Sequence, residues 1–282
     1  MTDNRLRFTL MPESLTLSRY KLTTFLACQR QFQLRYLNRL PWPVMPLSEQ
    51  SETAVSRGQA FHQLVQQQFL NLPIAPAAIS DVQLRRWWTL FRNNQPPFPA
   101  GQRLTEISLT VPVGNHLLNG RFDLVILGGT ANGQPAAHVF DWKTGTPQSE
   151  SQLRHDWQTR LYLGMLAEGG LALWPGEHTP LALAPENVSI TYWYVQEPGK
   201  PRIIRYNTDE HNRNWAELHT LVDQIEQQIA TDTWPLTDDW SHCRRCAYQT
   251  YCGRQGEGVE TAVVDEDSDL MHSESQMEPN LP

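Results

Sequence analysis

Apolar positions along the chain follow two periods, and the switch between them organises it. From Ser18 to about Leu40, Tyr20, Phe25, Leu26, Phe32, Tyr36 and Leu37 recur at helical spacing and predict one or two short helices. Pro41, Pro43 and Pro46 stop them. Ser56 to about Leu70 reads as a second helix with Phe61, Leu64, Val65 and Phe69 on one side, and Asp81–Arg92 as a third, ended by N-N-Q-P-P-F-P-A. From Arg103 the period becomes two. Leu104–Val113, Leu117–Leu127 and Ala136–Lys143 predict three strands, the first pair joined at Gly114–Asn115, a hairpin signal. A helix over Ser151–Ala167, strands over Val188–Gln196 and Arg202–Tyr206, and a long helix capped by Thr208 follow. The last helix carries Trp215, Leu218, Val222, Ile225 and Ile229 at steps of three and four. The order predicts a mixed α/β layer fold, a central sheet flanked by helices.

Strand alternation places candidate chemistry. Phe122, Leu124 and Ile126 are expected to face the core together, leaving Asp123 on the opposite face beside Arg121. On the next strand Asp141 and Lys143 share a face, while Phe140 and Trp142 take the other. A carboxylate among apolar neighbours is costly to bury without a partner. Two such carboxylates on adjacent strands, next to a lysine, form a candidate site for a divalent cation such as Mg2+. The alternative for D-x-K is a structural Asp–Lys pair followed by an ordinary turn at Thr144–Gly145.

The cysteines add a second centre. Cys28 stands alone, whereas Cys243, Cys246 and Cys252 are spaced C-x2-C-x5-C within the polar stretch S-H-C-R-R-C-A-Y-Q-T-Y-C. Structural zinc sites usually draw their thiolates as two close pairs. Iron–sulfur clusters also need four thiolates but tolerate irregular spacing. A shared centre is expected, an iron–sulfur cluster ahead of zinc, clasping the two ends of one domain over residues 1–256. Four unrelated buried cysteines are the alternative.

Charge changes the picture less. The formal net charge is −7, but residues 257–282 hold eight acids and no Lys or Arg. Without them the body has 22 acids against 23 bases, so charge neither favours nor excludes a nucleic acid. Residues 257–282 read as an acidic, disordered tail. No run of about 18 apolar residues appears, so no membrane span is expected. The absence of a secretory pattern before Leu17, together with thiolate ligands, points to a reducing cytoplasm.

Six segments in order, L-S-R-Y-K-L-T-T-F-L-A-C-Q-R-Q-F-Q-L-R-Y-L, R-G-Q-A-F-H, G-R-F-D-L-V, F-D-W-K-T-G, Q-T-R-L-Y and the terminal C-x2-C-x5-C, cover most of residues 15–255. In this the chain resembles the RecB-like branch of the PD-(D/E)xK nucleases, especially 4Fe–4S members such as the CRISPR-associated exonucleases and AddB-type helicase–nuclease subunits. The resemblance implies a restriction-endonuclease-like core. It implies that Asp123, Asp141 and His62 bind a catalytic Mg2+ or Mn2+, and that Lys143 positions the nucleophilic water. Gln158 and Tyr162 would support the site and the DNA backbone, and Cys28, Cys243, Cys246 and Cys252 would hold the cluster. Glu106 matches an acid often found upstream in the family and is expected only to support the ligands. Gln29 stands where proline is common after the first cysteine, and Trp142 replaces a frequent tyrosine. The implied activity is a DNA nuclease, with an exonuclease in repair, recombination or CRISPR-related processing first and a non-cleaving Fe–S subunit second. The implied partners are DNA and a helicase or other recombination or CRISPR protein; oligomeric state stays open.

Overall fold

A computed structural model describes residues 14–41, 49–174 and 182–254. The acidic tail, Pro43 and Pro46 lie outside them. Ser18 caps α1 (Arg19–Ala27); the Cys28 sulfur caps α2 (Gln29–Phe32), which runs into a π turn over Gln33–Leu37. Leu26 is 53% exposed, against expectation, and Leu22 and Leu34 are buried instead. The second helix, α3, begins earlier than its apolar pattern and spans Glu49–Phe69. Asp81 caps α4 (Val82–Asn93).

Six strands form one mixed sheet. They are β1 (Thr16–Leu17), β2 (Gln102–Val113), β3 (His116–Gly129), β4 (Pro135–Lys143), β5 (Val188–Tyr194) and β6 (Arg202–Arg205). The β2–β3 hairpin turns at Gly114, whose φ of +57° suits glycine. β2 pairs along nearly all of β3, so β1 and β4 share the other edge of β3. β1 takes Leu117–Leu118 and β4 takes Leu124–Gly129. The edge between them opens around Asp123.

The helix expected over residues 151–167 is two helices, α5 (Glu150–His155) and α6 (Trp157–Gly169). Asp156 interrupts it in extended conformation and caps the second. Asn207, not Thr208, caps α7 (Thr208–Thr231), because its side chain accepts from the Glu210 N–H. A short α8 (Trp240–Arg244) carries the first of the late cysteines.

Two apolar clusters cover the sheet. One joins Phe25, Phe32, Val125, Val139, Leu161, Ile190 and Val222 between the sheet and α1, α6 and α7. The other joins Phe61, Trp88, Phe91, Leu124, Ile126, Phe140, Trp142 and Trp193 beneath α3 and α4. Both faces of β5 are therefore buried, and all seven of its residues are inaccessible.

One expectation about faces fails, and the failure is informative. Phe122 packs on the α6 side, with its ring centroid 4.4 Å from that of Tyr162, whereas Leu124 and Ile126 lie in the α3/α4 cluster. The partner strand changes parity at the same place: Leu104 and Ile107 both pack against the α6-side cluster. Glu106, between them, has φ +51°, a left-handed conformation that L-residues rarely adopt within a strand. The register on either side is unbroken, with Thr105 opposite Leu124 and Ile107 opposite Phe122. Both strands thus reverse their faces together, and Glu106 and Asp123 sit opposite each other at the reversal.

Candidate metal centre and cysteine clasp

That reversal gathers charge. One ligand atom each from His62, Glu106 and Asp123 lies within 4.8 Å of the others, a trio that could hold a metal ion. His62 reaches the sheet from α3, and its Nδ1 is 3.3 Å from Asp123 Oδ1. Helix α3 packs against the end of β4 here: residue 58, one turn before His62, is glycine, and a Cβ there would lie 3.4 Å from Thr144 Oγ1. The other Asp123 oxygen accepts the Trp142 N–H at 2.8 Å, just where the β3–β4 ladder ends. Glu106 is tethered by Arg121 Nε at 2.8 Å.

Asp141, Lys143 and Gln158 form an adjoining network. Asp141 is 3% exposed. Its Oδ1 accepts from Gln158 Nε2 at 2.8 Å, and its Oδ2 lies 3.1 Å from Lys143 Nζ. Lys143 Nζ also donates to Gln158 Oε1 at 2.9 Å and stands 5.7 Å from the centre of the Tyr192 ring. Gln158 is fixed at the start of α6, where its N–H donates to Asp156 Oδ1 at 2.7 Å. Tyr162, one turn on, is buried and donates its hydroxyl to the Arg121 carbonyl of β3.

The electrostatics are those of a site crowded with negative charge. Burial opposes a charged His62, but the charge and hydrogen bond of Asp123, with Asp141 and Glu106 behind them, lift its pKa to about 9. Burial works against the Asp123 carboxylate, yet His62, the Trp142 N–H and Lys143 hold it below the usual range. Glu106 goes the other way: burial and the neighbouring Asp123 raise it, outweighing Arg121 and His62. Burial and the Asp141 charge push the Tyr162 hydroxyl far up, so it stays a neutral donor. Carboxylate oxygens with one imidazole suit a hard divalent cation, Mg2+ or Mn2+, and a cation would relieve this repulsion.

All the residues expected at this site converge, with two changes. Glu106, expected as support, joins His62 and Asp123 in the trio that could hold a metal, and Asp141, expected as a ligand, lies outside that trio against Lys143 and Gln158. Strand periodicity gives no warning of the first change, because nothing near Glu106 signals a left-handed backbone. Arg154, four residues before Gln158, lies apart from the site: across the break at Asp156 it bonds to Glu210 and to the Arg205 carbonyl.

The four cysteines meet around one cavity, lined also by Gln31, His242, Gln249 and Arg254. Cys28 comes from the α1–α2 junction, and its sulfur accepts the Gln31 N–H at 3.4 Å. Three hydrogen bonds tie the ends together: His242 Nε2 with Gln31 Oε1 at 2.6 Å, Tyr248 hydroxyl to the Leu40 carbonyl at 2.7 Å, and Gln33 Nε2 to Asp232 Oδ1 at 3.2 Å. Burial, with the charges of the other cysteines adding to it, pushes the Cys246 thiol up to about 11 and raises Cys252. No helix among the described residues is long and apolar enough to cross a membrane.

Comparison with known proteins places this geometry. No curated protein sequence matches the chain. Among solved structures, a Eubacterium rectale protein provisionally named an exonuclease aligns over 96% of this chain and 98% of its own, at 10% identity and a TM-score of 0.48. A protein designated SSO0001 aligns over 86% and 87%, at 18% identity and a TM-score of 0.34. The sequence profile of the PD-(D/E)XK nuclease superfamily matches residues 16–253, which span every strand and both candidate centres. The chain belongs to the PD-(D/E)XK nuclease superfamily.

Proposed function

We propose that the chain is a Mg2+- or Mn2+-dependent deoxyribonuclease, most simply an exonuclease acting at single-stranded or free DNA ends, with a 4Fe–4S cluster held by its four cysteines. The observation that carries the reading is the junction of the His62–Glu106–Asp123 trio with the Asp141–Lys143–Gln158 network, where β3 and β4 part. His62, Asp123 and Asp141 would hold the cation, with Glu106 as a third carboxylate. The cation supplies Lewis-acid polarisation of the phosphate and a lowered pKa for water. Lys143, locked between Asp141 and Gln158, orients a water for in-line attack on phosphorus. The new P–O bond forms as the bond to the departing sugar oxygen breaks, and the lysine charge offsets that building on the phosphate. Gln158 fixes two of these groups at once. Tyr162 steadies β3 through Arg121, one residue from Phe122 and two from Asp123.

The cluster's role would be mechanical, joining residue 28 to residues 243–252 around the nuclease core. The meeting of the four cysteines around one cavity supports a shared centre, and their irregular one-plus-three spacing in sequence supports iron–sulfur over zinc. Residues 1–256 would form the nuclease domain and 257–282 an acidic tail, in a cytoplasmic protein of repair, recombination or CRISPR-related processing. Unwinding would then fall to a partner helicase.

The test is cleavage of end-labelled DNA with and without Mg2+ or Mn2+, using Asp141→Ala as control. Removing a group that acts on transition-state charge typically costs roughly 10²–10³-fold, and a loss of that size is expected. Cleavage that survives Asp141→Ala would overturn the mechanism.

A further inference from the structure

We infer that Arg254 is a positioning residue for the cysteine-bound cofactor, holding the Cys243 sulfur in place as a ligand and drawing negative charge away from it. The inference rests on the reading that the four cysteines carry an iron–sulfur cluster.

Three contacts fix the guanidinium. Arg254 Nη1 lies 3.0 Å from Cys243 Sγ and 2.5 Å from the Thr237 carbonyl. The plane of the side chain is carried by Trp240, whose ring centre is 4.3 Å from the guanidinium carbon. Trp240 opens α8, the helix that bears Cys243. It is 58% exposed, which is costly for an indole unless its face is used. The backbone is arranged to the same end. Gly253, at φ +66°, turns the chain after Cys252, and the Arg254 N–H then bonds back to the Gln249 carbonyl. Gln249 in turn donates to the Cys243 and Arg244 carbonyls at 2.6 and 2.7 Å.

The chemistry suits a thiolate ligand better than a free thiol. A thiol gains little from a guanidinium beside it, whereas a coordinated sulfur keeps lone pairs and negative charge that a fixed N–H can share. Hydrogen bonds to cluster sulfurs withdraw electron density, which favours the reduced state and slows loss of the ligand. Lysine cannot reproduce the arrangement, because it lacks the planar guanidinium that stacks on Trp240 while Nη1 reaches its acceptors.

The experiment uses the full chain, purified without oxygen, as wild type, Arg254→Gln, Arg254→Lys and Trp240→Ala. The readouts are iron and sulfide per chain, the decay of absorbance near 400 nm on exposure to air, and the reduction potential. Wild type should hold about four of each atom. A charge-assisted hydrogen bond is worth on the order of tenfold in an equilibrium. Arg254→Gln should therefore bleach about tenfold faster and show a more negative potential. Arg254→Lys and Trp240→Ala should fall between it and wild type. Iron content, decay and potential unchanged in Arg254→Gln would overturn the inference alone. If Arg254→Gln does not accumulate, wild-type values in Arg254→Lys would overturn it. Wild type free of iron and sulfide would instead overturn the cofactor reading, and this inference with it.

Discussion

The two centres are built in opposite ways. The carboxylate site is set into the central sheet, on β2, β3 and β4 between two apolar clusters, and protein hydrogen bonds hold its side chains. The Trp142 N–H, Gln158, Lys143 and Arg121 each restrain one of them. The cysteine clasp sits among short helices and turns, and from Trp240 to Arg254 only Tyr248 is fully buried. Its sulfurs come from segments more than 200 residues apart in sequence, and three side-chain hydrogen bonds join those segments. One site has structure to spare and gathers carboxylates that a cation would bridge. The other has little core of its own and would take its stability from what it binds.

The difference should appear first in what ligand removal does. Asp141→Ala is expected to abolish most cleavage while leaving iron content and melting temperature near wild type, because the sheet around it is independently packed. Cys28→Ser is the counterpart. Serine is a good helix N-cap, so α2 keeps its start while the sulfur ligand is lost. The cluster should then be absent. Limited proteolysis should cut residues 233–254 much faster than in wild type, and the 102–143 sheet should stay protected. Equal protease resistance in both proteins would mean the clasp stands without its cofactor, and the contrast would fail. Next in size, His62→Ala should weaken Mn2+ binding by roughly 10-fold or more, the scale of a supporting metal contact, as read by calorimetry. Unchanged affinity would remove His62 from the ligand set.

Much of this contrast was legible in sequence, for stated reasons. Strands β2 to β4 show because each is a long run rich in aliphatic and aromatic residues, with alternating stretches such as Ile107–Val113 in β2 and Phe140–Lys143 in β4. Asp141, Lys143 and Trp142 fall on the faces that parity assigns. The cysteines stand out because none lies between positions 28 and 243. What was hidden depends on tertiary geometry. The reversal at Glu106 and Asp123 leaves the residue pattern intact on either side, so alternation carried Leu124 and Ile126 to the same face as Phe122. The break at Asp156 is likewise silent: Ser151 to Ala167 reads as a continuous helix, but the Asp156 carboxylate prefers to cap a new one. Arg254 lies two residues past the last cysteine, and only the turn at Gly253 brings it to the first of the late group.

The smallest expected effect gives the finest test. Glu106 is raised above the ordinary carboxylate range, by burial and then by Asp123, so its ionised form is worse off folded than unfolded. Stability is therefore lost as pH rises from the unfolded carboxylate value through the folded one. A neutral isostere escapes that loss, and Glu106→Gln keeps the same Cβ and hence the same strain at φ +51°. Without divalent cation, Glu106→Gln should be more stable than wild type above about pH 5, by about 1 kcal/mol, a gain typical of relieving one unfavourable surface or site charge. That corresponds to roughly 2–4 °C in melting temperature for a chain of this size. Below the ordinary glutamate range the advantage should vanish, since Glu106 is then protonated in the folded and the unfolded chain alike. Saturating Mn2+ should reverse the order, because only wild type offers the full carboxylate set and ligand binding stabilises by mass action. The clasp offers no such inversion, as removing any of its sulfurs can only weaken it. If Glu106→Gln melts below wild type in EDTA at pH 8, the Arg121–Glu106 pair outweighs the repulsion, and Glu106 belongs to the scaffold rather than to the cation.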